Sequence, residues 1–131
     1  MAVKSYKGLK AKSDKLFSEI IRSTGYCEAE TYTDVKCSSQ LQTMHINSRR
    51  FNATRCDTRN AFSGCAAHHR FFTDHPREFS HFITTTWAQK HYDDMFRKSR
   101  TATKVDWQER VDFLLRIKSG EITLQEAREL E

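Results

Sequence analysis

The chain has 131 residues and a formal net charge of +5 at pH 7, with 37% hydrophobic and 30% charged residues. Nine Phe, four Tyr and two Trp are enough aromatic mass for a compact core, which excludes wholesale disorder. No apolar run approaches the roughly 20 residues that cross a bilayer. Met1 to Lys15 carries lysines with no apolar stretch behind them, so no secretory signal is expected, and the chain is expected to be soluble and cytosolic.

Residues 1–12 are Lys-rich and predict a flexible basic arm, with residues 13–131 as a single domain. Leu16, Phe17, Ile20 and Ile21 recur at helical spacing, with Ser13 or Asp14 to cap the start and Gly25 to close the end. Thr31 to Val35 is β-branched and Leu41 to Ile46 alternates, which predicts two short strands joined by a loop around Asp34 to Ser39. Residues 47–59 have no period and predict a surface loop that leads through Asn60 into a helix near Cys65. Pro76 permits a helix start, and one helix is expected from about Arg77 to Lys98 with Phe79, Phe82, Ile83, Trp87 and Met95 on its apolar face. A C-terminal helical extension is expected over about 99–131. In it, Val105, Val111, Leu114 and Leu115 mark a helix that stops at Gly120, and Thr123 with Glu126 forms a capping box for a last short helix. Phe71 and Phe72 join the helical aromatics as core. The class is α+β, with helices at both ends and an irregular β-containing middle.

The positive charge lies in the first three quarters of the chain, and in the middle it is mostly arginine: Arg49, Arg50, Arg55, Arg59 and Arg70. A guanidinium is a planar fork of donors suited to phosphate oxygens, but the same residues also suit an ordinary solvated surface. Without a secretion signal, Cys27, Cys37, Cys56 and Cys65 are better read as metal ligands or free thiols than as disulfides.

Two constellations stand in the middle. Cys27, Cys37 and the run Cys65-Ala-Ala-His68 offer four soft or borderline ligands of the kind that zinc takes at tetrahedral corners, with buried free thiols as the alternative. Cys56 lies outside that set and reads as a free thiol. His45 at a strand end, Asn60 in the following loop and His69 on a helix can converge on one phosphate and one divalent ion. Phosphodiester hydrolysis needs an activated water and a cation on the developing charge. A histidine titrating near the operating pH can take the water's proton.

Leu41-Gln-Thr-Met-His45-Ile46, Ser48-Arg49-Arg50, Thr54-Arg55-Cys56-Asp57, Asn60-Ala61 and Cys65-Ala-Ala-His-His69 together resemble the HNH endonuclease superfamily, and most of all small phage-borne proteins related to the NinG recombination proteins. The resemblance covers about residues 16–96. It implies a ββα-metal (HNH) core whose β-hairpin is tied by a structural zinc, and metal-dependent cleavage of DNA in phage recombination, replication or packaging. The host cytoplasm is the implied location. It further implies His45 as general base, Asn60 as the residue that steadies the loop, orients that base and in some members binds metal, and His69 as the ligand of a catalytic Mg²⁺ or Mn²⁺. The implied zinc ligands are Cys27, Cys37, Cys65 and His68.

The chain departs from the family pattern at three places. Met44 stands where many members have a second ligand for the catalytic ion, so the ion rests on His69 and Asn60 or recruits Asp57, Asp74 or His75. His68 replaces the usual second cysteine of the helix pair, and the first pair is stretched to Cys27 and Cys37. Arg49, Arg50 and Arg55 fall between base and asparagine, where a scissile phosphate would lie. The basic arm adds sequence-independent contacts to DNA. A homodimer would suit cutting of both strands. The other reading on the same fold is a zinc-stabilised DNA-binding protein that has lost cleavage.

Overall fold

The computed structural model describes residues 6–102 and 104–131, with residues 6 and 7 described by backbone alone. In chain order the elements are helix α1 (Tyr6–Arg22), strand β1 (Leu41–His45), the single-turn helix α2 (Asn52–Arg55), a 3₁₀ turn (Thr58–Asn60) and strand β2 (Ala61–Cys65). Helices α3 (Ala66–Asp74), α4 (Pro76–Thr86), α5 (Gln89–Ser99), α6 (Trp107–Lys118) and α7 (Leu124–Leu130) follow. The class is α+β, and among the described residues the sheet is a single antiparallel pair with Leu41 opposite Cys65 and His45 opposite Ala61. Two further bonds lengthen the ladder, from the Ile46 N–H to the Asn60 carbonyl (2.7 Å) and from the Ala66 N–H to the Gln40 carbonyl (3.0 Å). No helix among the described residues is long and apolar enough to cross a membrane.

The apolar stripe of α1 forms as its spacing predicts. Leu16, Phe17, Ile20 and Ile21 are buried against Trp107, Val111, Leu114 and Ile117 of α6 and Ala127 of α7. Each large side chain so buried contributes about 1.5–3 kcal/mol. The helix begins earlier than Ser13, however. Residues 6–12 of the expected arm are its first turns, and residues 1–5 of that arm lie outside the described residues. Ser13 is therefore buried inside the helix, and Asp14 is turned to a different task, described below. At the far end Gly25 has a positive φ of 83°, as a residue closing a helix must, and Gly120 (φ 85°) does the same after α6. The Thr123–Glu126 capping box that starts α7 is present in full.

A second cluster gathers Met44, Phe62, Cys65, Phe72, Phe82 and Ile83, with Phe71, Phe79 and Trp87 packed against it. The hairpin lies between the two clusters and is covered on both faces, so all five residues of β2 are buried. Gly64 is fixed by this packing, because a Cβ there would collide with the Met44 sulfur.

Three expectations are corrected. Thr31 to Val35 is not a strand. It runs as successive turns, with the Glu30 N–H on the Cys27 carbonyl and the Tyr32 N–H on the Ala29 carbonyl, because the path between two neighbouring thiols overrides β-propensity. The strand opposite β1 is Ala61–Cys65, where a loop was expected, and it comes after a long connection instead of before β1. The expected helix from Arg77 to Lys98 is two helices broken at Trp87 and Ala88. The β-branched run Thr84-Thr85-Thr86 weakens the helix there, and the Trp87 ring turns inward to lie 5.4 Å from Phe62 and 5.8 Å from Phe82.

Candidate metal centre and the histidine cleft

The path of residues 27–38 is pinned by its backbone. The Glu28 N–H bonds the Ser63 carbonyl (2.8 Å) and the Glu28 carboxylate accepts from the Ser63 N–H (2.6 Å), so this segment docks along the free edge of β2. Ser38 Oγ accepts from the Ala67 N–H (3.0 Å) at the start of α3. Between these anchors Cys27 and Cys37 arrive beside the end of β2. Cys65 is the N-cap of α3 and its sulfur accepts from the His68 N–H (3.3 Å), which places the His68 ring one turn along, facing the same point.

The ligand atoms of Cys27, Cys37, Cys65 and His68 all lie within 4.8 Å of one another. His68 Nδ1 is 3.6 Å from the Cys27 sulfur, 3.6 Å from the Cys37 sulfur and 3.1 Å from the Cys65 sulfur. A tetrahedral zinc with Zn–S near 2.3 Å and Zn–N near 2.0–2.1 Å has S···N edges of about 3.6 Å. The other ring nitrogen, Nε2, lies 3.2 Å from Thr33 Oγ1. An N–H donated there leaves the Nδ1 lone pair for the metal, and such an outer partner is what orients a ligating histidine. The sulfurs carry the same message. Burial pushes the Cys65 thiol up, yet bonds from His68 and Ser38 outweigh it and bring the group to about 6. Desolvation and then the neighbouring Cys27 and Cys65 sulfurs raise Cys37 to about 12, and burial raises Cys27. Three crowded thiols cannot all ionise unless a cation stands among them, so these residues can hold a structural metal such as zinc. A metal held there would tie the loop of residues 27–37 to the junction of β2 and α3, not a hairpin between Cys27 and Cys37.

Cys56 is outside the set, as expected. It is buried within the β1–β2 connection, and burial pushes its thiol up to about 12.

The second constellation is only partly assembled. His45 and His69 line one small cleft of about 190 Å³ together with Met44, Phe72, Thr73 and Phe79. The His45 Nε2–H donates to the Arg55 carbonyl (3.0 Å), which leaves Nδ1 as the basic nitrogen. Burial holds this imidazole below its usual pKa, so it is neutral at pH 7. The His69 Nδ1–H donates to Gln42 Oε1 (2.6 Å), which leaves Nε2 as the atom able to take a proton or a metal. Sequence reasoning missed Gln42. Its place on β1 three residues before His45 is the only signal it gives.

Asn60 is not brought to that cleft. It is fully buried, its Nδ2 donates to the carbonyls of Asn47 (3.1 Å) and Thr54 (3.0 Å), and its Oδ1 accepts from the Asn47 N–H (2.9 Å). Its expected place as an ion ligand beside His69 gives way to closing the loop, since both ends of the carboxamide are engaged. Through Thr54 it also fixes the neighbouring Arg55 carbonyl that anchors His45. Met44 is buried in the second cluster and lines the cleft with a thioether, a poor ligand for a hard ion. Asp57 is buried under Arg59 and Lys98, so it too is spoken for. Among the described residues Cys27, Cys37, Cys65 and His68 are the one group of three or more His, Cys, Asp or Glu gathered for a metal.

The arginines separate as well. Arg55 makes a two-pronged bond to Asp14 (2.8 and 2.7 Å) and donates to the Arg49 carbonyl (2.9 Å), so it ties the loop to α1. Burial alone would raise Asp14, but the Arg55 guanidinium beside it holds the carboxyl below its usual range. Arg49 and Arg50 are exposed. No family model matches the chain, and no curated protein and no solved structure matches it either, so what this site can do rests on its own residues.

Proposed function

We propose that the chain is a metal-dependent endonuclease of the HNH kind, hydrolysing phosphodiester bonds in DNA on a zinc-tied ββα core. The observation that carries this reading is the pair of histidines in one cleft, each with one ring nitrogen bonded to the protein and the other left over. The order β1, β2, α3 beside a Cys₃His cluster supports it. In this reading the phosphate enters beside His45. Water forms the new P–O bond, His45 Nδ1 takes its proton, and the P–O bond to the leaving sugar oxygen breaks. A bound Mg²⁺ or Mn²⁺ would supply positive charge against the developing phosphorane, with His69 Nε2 as its protein ligand and its other positions left to water and phosphate. Exposed Arg49 and Arg50 hold neighbouring phosphates. The setting in phage recombination, replication or packaging, and a dimer that cuts both strands, belong to the same proposal.

A zinc-stabilised DNA-binding protein without cleavage is the second reading. The buried Met44 and the fully engaged Asn60 favour it, because they leave a hard ion only one protein ligand.

Plasmid nicking with and without Mg²⁺ or Mn²⁺, in the wild type and in His45→Ala, separates the two. The expected result is metal-dependent nicking that falls about 10²–10⁴-fold in His45→Ala while DNA binding is kept. Because the base works as the neutral imidazole and burial lowers its pKa, activity should fall on acidification only below the pH at which an ordinary histidine titrates. Binding without nicking in either metal would favour the second reading, and full turnover in His45→Ala would remove His45 from the chemistry.

A further inference from the structure

Several cations of the molecule are held by carboxylates: Arg55 by Asp14, Lys90 and Arg97 by Asp94, Arg116 by Glu121, and Lys118 by Glu19. Four exposed arginines around His45 and Phe51 are held differently. Arg22, at the last turn of α1, donates to the Ser18 carbonyl (3.1 Å). With Arg49 it walls a cleft of about 270 Å³ that also contains His45, Gln42 and Thr43 and has no carboxylate in its lining. Arg49 reaches Asp14 only at 3.5 Å, behind the closer bond that Arg55 makes. Next in the chain, Arg50 lies 4.8 Å from the centre of the Phe51 ring. Arg100, from the end of α5, lies 4.0 Å from the same ring and 4.3 Å from that of Phe96.

The contacts make these residues one band. The cleft joins Arg22 to Arg49, the chain joins Arg49 to Arg50, and the Phe51 ring joins Arg50 to Arg100. The means of holding matters. A carboxylate uses up a guanidinium's N–H edge and cancels its charge. An aromatic ring takes only the flat face and leaves the charge and most of the N–H edge for phosphate oxygens, although Arg100 also donates one N–H to Ser99 Oγ (2.8 Å).

We infer that a DNA backbone follows the band Arg22, Arg49, Arg50 and Arg100, with His45 at the first cleft and Phe51 as the strut between the last two arginines. This deepens the nuclease reading and rests on it. It adds Arg22 and Arg100 to the DNA contacts and leaves out Arg55, whose charge is already engaged by Asp14.

The test is the salt dependence of binding to a 20-base-pair duplex, followed by anisotropy in zinc-loaded protein without added Mg²⁺ or Mn²⁺. The chains compared are wild type, Arg22→Gln, Arg100→Gln, the double variant, and Arg116→Gln as a control that removes the same charge from a carboxylate-paired site. All three side chains are exposed, so the variants should keep wild-type zinc content and helicity. The expected result is a log–log slope flatter by about one for each band residue removed and about two for the double variant, with Arg116→Gln unchanged. If Arg22→Gln and Arg100→Gln keep the control's slope, the band is wrong, and the nuclease reading stands wherever the wild type still nicks DNA with added metal. If the wild type neither binds nor nicks DNA, both fall together.

Discussion

Both halves of the molecule bury an apolar cluster, but only the hairpin half adds a group of residues that could hold a metal. Around α1, α6 and α7, burial of Leu16, Phe17, Ile20, Ile21, Val111 and Leu114 sets the structure, in the ordinary manner of helices with an apolar stripe. Around the hairpin and α3 the elements are a five-residue strand pair and a nine-residue helix, reached through a turn-rich segment with no ladder of its own. Such a segment has little area to bury, and a metal held by the four residues gathered at one point would substitute for it. The contrast teaches where the chemistry can be. The helical half packs against the hairpin, and the half with the candidate metal site brings His45 and His69 to one cleft, where the proposed chemistry would be. The two are linked by polar ties to the connection between the strands: Arg55 to Asp14 of α1, Arg110 of α6 to the Cys56 carbonyl, and Arg128 of α7 to the carbonyls of Thr58 and Ala61.

The sharpest break of this comparison is loss of a ligand. Structural zinc contributes about 10–16 kcal/mol of apparent binding energy in zinc-finger peptides, more than most small domains have in total. Cys65→Ser should therefore unfold the metal-tied half. The two tryptophans report the halves separately, since Trp87 packs on the hairpin cluster and Trp107 lies in the helical one. In a Trp107→Phe background, Cys65→Ser should red-shift the Trp87 emission. In a Trp87→Phe background the emission of Trp107 should hardly move. Equal shifts of both would mean one cooperative unit and no division of labour.

A smaller effect is expected on the other side. Leu114 is fully buried in α6, and Leu114→Ala should cost about 2–5 kcal/mol in urea unfolding while one zinc per chain is retained. Zinc loss in parallel with the stability loss would contradict the independence of the two halves.

How much could be read beforehand follows the same line. The stripe of α1, the stop at Gly120 and the capping box at Thr123 are written locally, and they fold as written. The four residues of the candidate metal site were legible as a group too, because the Cys-x-x-His spacing at a helix start is a local signal and Cys27 and Cys37 are thiols that suit it. Strand β2 was not legible. Ala-Phe-Ser-Gly-Cys has no β-branched residue, and it is extended only because β1 and the Glu28 segment bond its two edges. The role of Arg55 was hidden for a related reason, since its partner Asp14 lies 41 residues away and looked like a helix cap. The sequence carries no sign that Asn60 is fully buried with its carboxamide bonded at both ends, so that no oxygen is left over for an ion.

The smallest test concerns the break between α4 and α5. Ala88 sits at φ 92° and ψ 156°, a region that glycine occupies freely and alanine does not. Ala88→Gly should relieve that strain and stabilise the chain by about 1 kcal/mol, read as a higher Tm. Destabilisation would mean that the gain in unfolded-chain entropy outweighs the strain.

The metal clamp at Cys27, Cys37, Cys65 and His68 carries the whole comparison, and zinc-edge X-ray absorption on the purified full chain tests it most directly. The expected result is one zinc per chain with three sulfurs at about 2.3 Å and one nitrogen at about 2.0–2.1 Å. A shell of nitrogen and oxygen alone, or protein that folds with no metal bound, would contradict it.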